Sequence, residues 1–251
     1  MRIKISDLKK CFGEKVAVNI SDFTINKGEI LGLVGNNGAG KTTLFRLILD
    51  LHKADDGEVT VTLPGSHQED GSKETDGQGI DVCTSTSEDW KTHTGAYIDE
   101  GFLIDFLTPE EYFEFIGKVN GMPKKDVEER LKDFEHFMGG EVLGQKKLIR
   151  NLSSGNKQKV GIISTLLSKP QLVILDEPFN FLDPTSQNLL KRHLEEYNKE
   201  TDATVLISSH NLSHTIDICQ RIVLLEHGEI VRDLANENKS AEKELEEYFN
   251  S

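Results

Sequence analysis

Apolar positions along the chain fall into two arrangements. Near its start they form short runs rich in β-branched residues and bounded by turn formers. These are residues 2–8 (RIKISDL), residues 16–25 (VAVNISDFTI) and, after a turn at Asn26, Lys27 and Gly28, residues 29–34 (EILGLV). Each reads as a strand. From Lys41 the spacing changes: Leu44, Leu47, Ile48 and Leu51 stand at i, i+3, i+4 and i+7 in KTTLFRLILDLH. That is the stripe of a helix packed on a sheet, so a strand, a glycine loop and a helix follow one another. Residues 57–63 (GEVTVTL) return to strand, and residues 65–79 (GSHQEDGSKETDGQG) contain no hydrophobic side chain. A solvated, flexible acidic insertion is expected at about residues 64–88, because such a segment has nothing to bury.

The middle of the chain reads as helical. Thr108, Pro109, Glu110 and Glu111 form a capping box with proline at the first helical position, and Tyr112, Phe113, Phe115 and Ile116 follow as the expected buried side. Residues 123–137 continue with Val127, Leu131, Phe134 and Phe137 at helical spacing. The final third alternates again: strand 171–175 (QLVIL), a helix opened by Asp183 and Pro184, strand 204–208 (TVLIS), a helix after His210, and strand 221–226 (RIVLLE) before a turn at Gly228. A tail helix from Ala241 is expected to dock by Leu245, Tyr248 and Phe249.

Composition narrows the function classes. The 251 residues are enough for one α/β domain with a subdomain. A net charge of −14 disfavours nucleic acid or an anionic lipid surface as the main partner, since both require clustered cations. Cys11, Cys83 and Cys219 are scattered without a CxxC pair, so neither a disulfide framework nor a zinc ribbon is indicated, and a reducing cytosol fits. The first ten residues lack the apolar core of a signal peptide, and no apolar run approaches the ~20 residues that span a bilayer. Any work at a membrane is expected to pass through another chain.

The candidate chemistry starts at residues 35–43: Gly35, Asn36, Asn37, Gly38, Ala39, Gly40, Lys41, Thr42 and Thr43. They match G-x-x-x-x-G-K-[ST] between an apolar strand and an amphipathic helix. Glycines let the loop curl until its amides point inward and, with the helix N-terminus, cradle phosphates. Lys41 is expected to reach the β- and γ-phosphates, and Thr42 to offer its hydroxyl to Mg²⁺. Asp176 follows four apolar residues, so its carboxylate emerges at the C-terminal end of a buried strand beside this loop, where it can hold the metal. Glu177 is aimed differently and can polarise an attacking water.

Residues 151–160 (NLSSGNKQKV) admit a plain helix start or a guanine-reading NKxD loop. The second fails, because Asn156 and Lys157 are followed by Gln158 and Lys159. His210 and His214 stand at i, i+4, yet no glutamate completes an H-E-x-x-H zinc motif.

Taken in order, these motifs resemble the ATP-binding-cassette (ABC) family over nearly the whole chain. Residues 152–156 (LSSGN) stand where that family carries LSGGQ, with Ser154 and Asn156 replacing glycine and glutamine. The resemblance implies a P-loop NTPase of α/β class: a RecA-like core, an N-terminal antiparallel β subdomain and an inserted α-helical subdomain. The implied division is 1–103 for the β subdomain and phosphate-loop part, 104–168 for the helical subdomain, 169–234 for the rest of the core and 235–251 for the terminal helix. It also implies ATP and Mg²⁺ as ligands. Ser153 and Gly155 of one copy face the γ-phosphate held by another, Phe12 stacks on adenine, Asp183 lies in the loop that communicates across the dimer, and His210 contacts the γ-phosphate. Glu100 occupies the family's glutamine position, where it would bring a carboxylate to the metal or repel the γ-phosphate. Within the family the chain is most similar to ATPase subunits of bacterial exporters of the ABC-2 or bacitracin-efflux kind. Expected partners are a membrane permease and a second ATPase subunit, identical or not, on the inner face of the cell membrane. The competing functions are a cassette ATPase serving a cytosolic machine such as iron–sulfur assembly, and an interaction module that binds ATP without hydrolysing it.

Overall fold

The computed structural model describes residues 1–63, 79–82 and 87–250. Strands β1 (Arg2–Phe12) and β2 (Lys15–Ile25) form a hairpin, β3 (Ile30–Val34) follows, and α1 (Lys41–Ile48) leaves the glycine loop. Next come β4 (Asp56–Thr62), β5 (Gly79–Asp81), the short helix α2 (Asp89–Thr92) and β6 (Thr94–Tyr97). The helical stretch holds α3 (Pro109–Val119), α4 (Lys124–Lys132), α5 (Glu135–Met138) and α6 (Ser154–Leu166). After it run β7 (Leu172–Leu175), α7 (Pro184–Thr201), β8 (Thr204–Ser209), α8 (Leu212–Ile218), β9 (Arg221–Glu226), β10 (Glu229–Ala235) and α9 (Glu242–Asn250).

One sheet is antiparallel, in the order β2-β1-β4-β5. The other runs β10-β9-β3-β8-β7-β6 and is parallel except for β10, which returns antiparallel beside β9. Side chains alternate between the faces of a strand, and here both faces are covered, which is why β3 and β7 read as unbroken apolar runs. Leu31, Leu33, Leu172, Ile174 and Leu206 pack with Leu44, Phe45 and Leu47 of α1 and with the antiparallel sheet through Ile3, Ile5, Val59 and Val61. Val34, Val173, Leu175, Val205 and Ile207 pack instead with Phe113 of α3, Val160 and Ile163 of α6 and Leu194 of α7. Full burial of one such side chain is worth about 1.5–3 kcal/mol, so a one-residue slip, which exchanges the two sets, is strongly disfavoured.

The capping box forms as read: Glu111 N–H donates to Thr108 Oγ1 at 3.3 Å and Thr108 N–H to Glu111 Oε2 at 2.8 Å. Several expectations need correction. Helix α1 stops at Ile48, Asp50 turns left-handed at φ 56°, and Leu51 is exposed rather than the last member of the stripe. Phe115 is exposed and Ile116 half-buried, because α3 lays Tyr112, Phe113 and Gly117 inward, the last so close that an added Cβ would stand 2.2 Å from Val127. Residues 123–137 divide into α4 and α5, since Phe134 takes φ −102°, ψ 6° and turns its ring onto His193. In α9 Leu245 is fully buried, whereas Phe249 is at the surface. The hydrophobe-free insertion falls largely on residues 64–78 and 83–86, outside the described residues, as does Cys83. Cys11 and Cys219 are free thiols, and no described helix is long and apolar enough to cross a membrane.

Candidate functional site

The phosphate loop leaves the C-terminal end of β3 and enters α1 at Lys41. Two of its glycines are irreplaceable on steric grounds. At Gly35 (φ +155°) a Cβ would lie 2.2 Å from the carbonyl oxygen of Leu225, and at Gly40 (φ +110°) 2.3 Å from that of Ala17. Lys41 is buried at 6 % exposure, with Nζ donating to the carbonyls of Gly35 at 2.6 Å and Asn36 at 3.4 Å. A cavity of about 270 Å³ beside the loop is lined by Phe12, Lys15, Ala17, the loop residues from Asn37 through Thr43, and Glu177. Phe12 is 48 % exposed at the hairpin tip, its ring edge-on to His52, so it is not a core residue.

Of the acidic pair, Glu177 lines this cavity and Asp176 sits beside Thr42. Asp176 follows β7 and accepts from Thr42 Oγ1 at 2.5 Å and from the Ser208 hydroxyl. Burial raises its carboxyl above the usual carboxylate range, with the two hydroxyl donors opposing that shift. Thr42 and Asp176 thus offer hydroxyl and carboxylate oxygens side by side, which is the hard donor set a divalent cation such as Mg²⁺ takes. Glu177 is left-handed at φ 47°, a conformation costing a non-glycine residue about 1–2 kcal/mol. Its N–H donates to Ser208 Oγ at 2.8 Å and its carbonyl accepts from Gln158 Nε2 at 3.2 Å, which hold that backbone in place. The side chain lies between two nitrogen groups: Oε2 is 2.8 Å from His210 Nδ1 and Oε1 3.6 Å from Lys41 Nζ. Lys41, Thr42, Asp176, Glu177 and His210 are therefore brought together from three segments of the chain.

The remaining predicted residues stand apart from the cavity lining. Ser153 caps α6, accepting from Asn156 N–H at 3.2 Å, and Gly155 lies against the Phe181 carbonyl, where a Cβ would stand at 2.7 Å. Asp183 caps α7, accepting from the amides of Thr185 and Ser186 and the Ser186 hydroxyl, which lower its pKa. Glu100 pairs through its carboxylate with Lys157 of α6 at 3.2 Å. His214 packs on Phe179, ring centroids 4.6 Å apart, and burial lowers its pKa. The described residues contain no cluster of three or more His, Cys, Asp or Glu arranged to hold a metal.

Sequence reasoning passed over Ser208 and Gln158. Ser208 serves both acidic residues, and the strand alternation of 204–208 could have aimed it at them. Gln158 is 6 % exposed and links the Tyr97 hydroxyl (3.2 Å) to the carbonyl of Glu177, a tie between α6 and the acidic loop for which the local sequence carries no signal.

Comparison with known proteins agrees with this geometry. The ABC transporter family pattern matches residues 18–180. Among curated relatives, the ABC transporter ATP-binding protein NatA of Bacillus subtilis (strain 168) is 28% identical over 233 residues, covering 91% of this chain and 87% of that one. The linearmycin resistance ATP-binding protein LnrL of the same organism is 30% identical, covering 91% and 68%. The tungstate uptake system ATP-binding protein TupC of Peptoclostridium acidaminophilum is 29% identical, covering 92% and 97%. The dimeric structure of MJ0796, a bacterial ABC transporter cassette, superposes with a TM-score of 0.78 at 23% identity, covering 94% of this chain and 99% of that one. With the phosphate loop, the acidic pair and the histidine assembled in one site and that likeness extending over most of the chain, the protein belongs to the ABC transporter family, as one of its ATP-hydrolysing subunits.

Proposed function

We propose that two copies of this cassette, or this one and a related subunit, close head to tail around ATP and drive an export permease at the inner face of the membrane. The observation that carries the reading is the division of the site within one chain. Phe12, the loop amides, Lys41, Glu177 and His210 face one region, whereas Ser153 and Gly155 present the N-terminal end of α6 elsewhere. The tip of α6 carries the positive end of a helix dipole, which suits a γ-phosphate bound to the neighbour. In this scheme Phe12 stacks on adenine and the amides of residues 35–43 together with Lys41 hold the phosphates. Thr42 and Asp176 would hold Mg²⁺, which supplies charge neutralisation at the phosphate oxygens when bound. Glu177 takes the proton of the attacking water, and His210, already within 2.8 Å of it, orients that carboxylate and meets the γ-phosphate. Asp183 rigidifies the loop between the two sites through its cap on α7.

In this scheme a permease helix seats beside Glu100. An apolar cavity of about 210 Å³ there is lined by Leu49, Leu51, Trp90, Ile98 and Phe102, and exposed Phe106 lies nearby in sequence. Export is favoured by the likeness to a resistance ATPase, although an uptake ATPase is similarly close in overall identity. The test is Glu177→Gln with light scattering after ATP addition. The expected result is retained ATP binding, loss of most turnover and a stable dimer; wild-type turnover would remove Glu177 from its role, and a monomer saturated with ATP would remove the shared site.

A further inference from the structure

We infer that Lys15 is a further nucleotide-binding residue, placing a mobile positive charge over the outer side of the terminal phosphates, opposite the side held by Lys41. Phe12 and Lys15 are register partners across the tip of the β1–β2 hairpin, and directly opposed residues of an antiparallel pair project to the same face. If Phe12 meets the base, Lys15 is presented to the same ligand. Lys15 and Ala17 of β2 both lie against the phosphate loop. Ala17 abuts Gly40, with its carbonyl 2.3 Å from where a Cβ would be, and Lys15 Nζ stands 3.9 Å from the corresponding point on Gly38. Lys15 also lines the cavity that Phe12, the loop and Glu177 enclose. Among the described residues no carboxylate within ion-pairing distance neutralises it. Lys41, by contrast, is buried and engaged by Glu177 and two carbonyls. The two ammonium groups therefore approach a polyphosphate from opposite sides, one fixed and one on a solvated, flexible stem. The acidic chain, at −14 overall, gains a local cation where a tetra-anionic ligand enters.

The contact is partly solvated, and the Coulomb energy of one charge pair about 4–6 Å apart at that exposure corresponds to roughly a threefold to tenfold change in affinity. The experiment measures equilibrium binding of fluorescent ATP and ADP analogues to the full chain, with Mg²⁺, for wild type, Lys15→Arg, Lys15→Gln and Lys15→Glu. Expected is an order of ATP affinity wild type ≈ Arg > Gln > Glu. The loss for Gln should be about threefold to tenfold, smaller for ADP than for ATP, and compressed at high salt. Unchanged thermal melting of Lys15→Gln keeps a folding defect out of the result, and Lys15→Arg serves as the conservative rescue. Equal ATP affinities across the series, or a loss for ADP as large as for ATP, would overturn the inference. The inference rests on the nucleotide site described above but not on dimer closure: wild type that binds ATP yet never dimerises would sink the head-to-tail proposal and leave Lys15 untouched.

Discussion

Replacing Gln158 by leucine tests whether the signature helix is tied to the acidic loop by a buried polar link. The leucine side chain is close in size, so the main loss is two hydrogen bonds: Tyr97 Oη to Gln158 Oε1 and Gln158 Nε2 to the Glu177 carbonyl, both 3.2 Å. Tyr97 is 4 % exposed and its hydroxyl is left with no recorded alternative, while burial already raises its pKa. An orphaned buried polar group costs about 1–3 kcal/mol. With one full orphan and one partly solvated carbonyl, the expected destabilisation is about 2 kcal/mol, or roughly 4–8 °C in Tm for a chain of this size. Tyr97→Phe alone should cost about 1 kcal/mol by the same reasoning, and the double variant should cost less than the sum, because the second change removes the group orphaned by the first. The assay is urea unfolding followed by Trp90, the single tryptophan, which is buried in the core. A second readout separates position from stability. Since Gln158 steadies the left-handed backbone of Glu177, its loss should lower kcat with the KM for ATP nearly unchanged. Strict additivity of the two substitutions, or a wild-type kcat in Gln158→Leu, would refute the link.

Two further outcomes follow from other parts of the structure. The Glu100–Lys157 pair joins the short turn after β6 to α6; as a partly exposed contact it is worth about 0–1 kcal/mol. Glu100→Lys should therefore reduce ATPase activity modestly and Lys157→Glu added to it should restore activity. A failure of the exchange to rescue, together with a large shift in Mg²⁺ dependence for Glu100→Gln, would return Glu100 to the metal. His193 lies against Phe134 and Phe137, near Arg130, Asp133, His136 and Glu196, and burial lowers its pKa below the ordinary 6.5. The unfolded chain then binds the proton first, so this group's stabilisation is complete above pH 6.5 and is lost as pH falls through that value toward the folded pKa. Unfolding free energy should decline from pH 7 to 5.5, with at most ~1.4 kcal/mol per pH unit from this residue. His193→Phe should show a flatter profile, and parallel profiles would exclude His193 as a contributor.

The parts of the site that the sequence revealed are those whose chemistry constrains neighbouring residues. A loop whose amides must all turn inward needs Gly35 and Gly40 at fixed spacing, and an acidic residue at a buried strand end needs four apolar residues before Asp176. Contacts made across the fold leave no such trace. Ser208 reaches Asp176 from 32 residues away, Gln158 reaches Glu177 from 19, and Lys15 meets Gly38 only because two sheets bring them together. Helical periodicity marked α3 but overestimated its buried arc, since Phe115 satisfies the spacing while the inward face is filled by Tyr112, Phe113 and the close approach of Val127 to Gly117. Glu100 is recognised from its position in a motif, whereas its pairing with Lys157 of α6 is a contact made across the fold.

Neighbouring residues of β3 belong to different interiors, Leu31 and Leu33 to one and Ile30 and Val34 to the other. Every second letter of that strand is thus an address on a separate side of the molecule. Over evolutionary time the layer bearing LSSGN can be resculpted through one set of letters while the compartment under the glycine turn keeps its fit through the other.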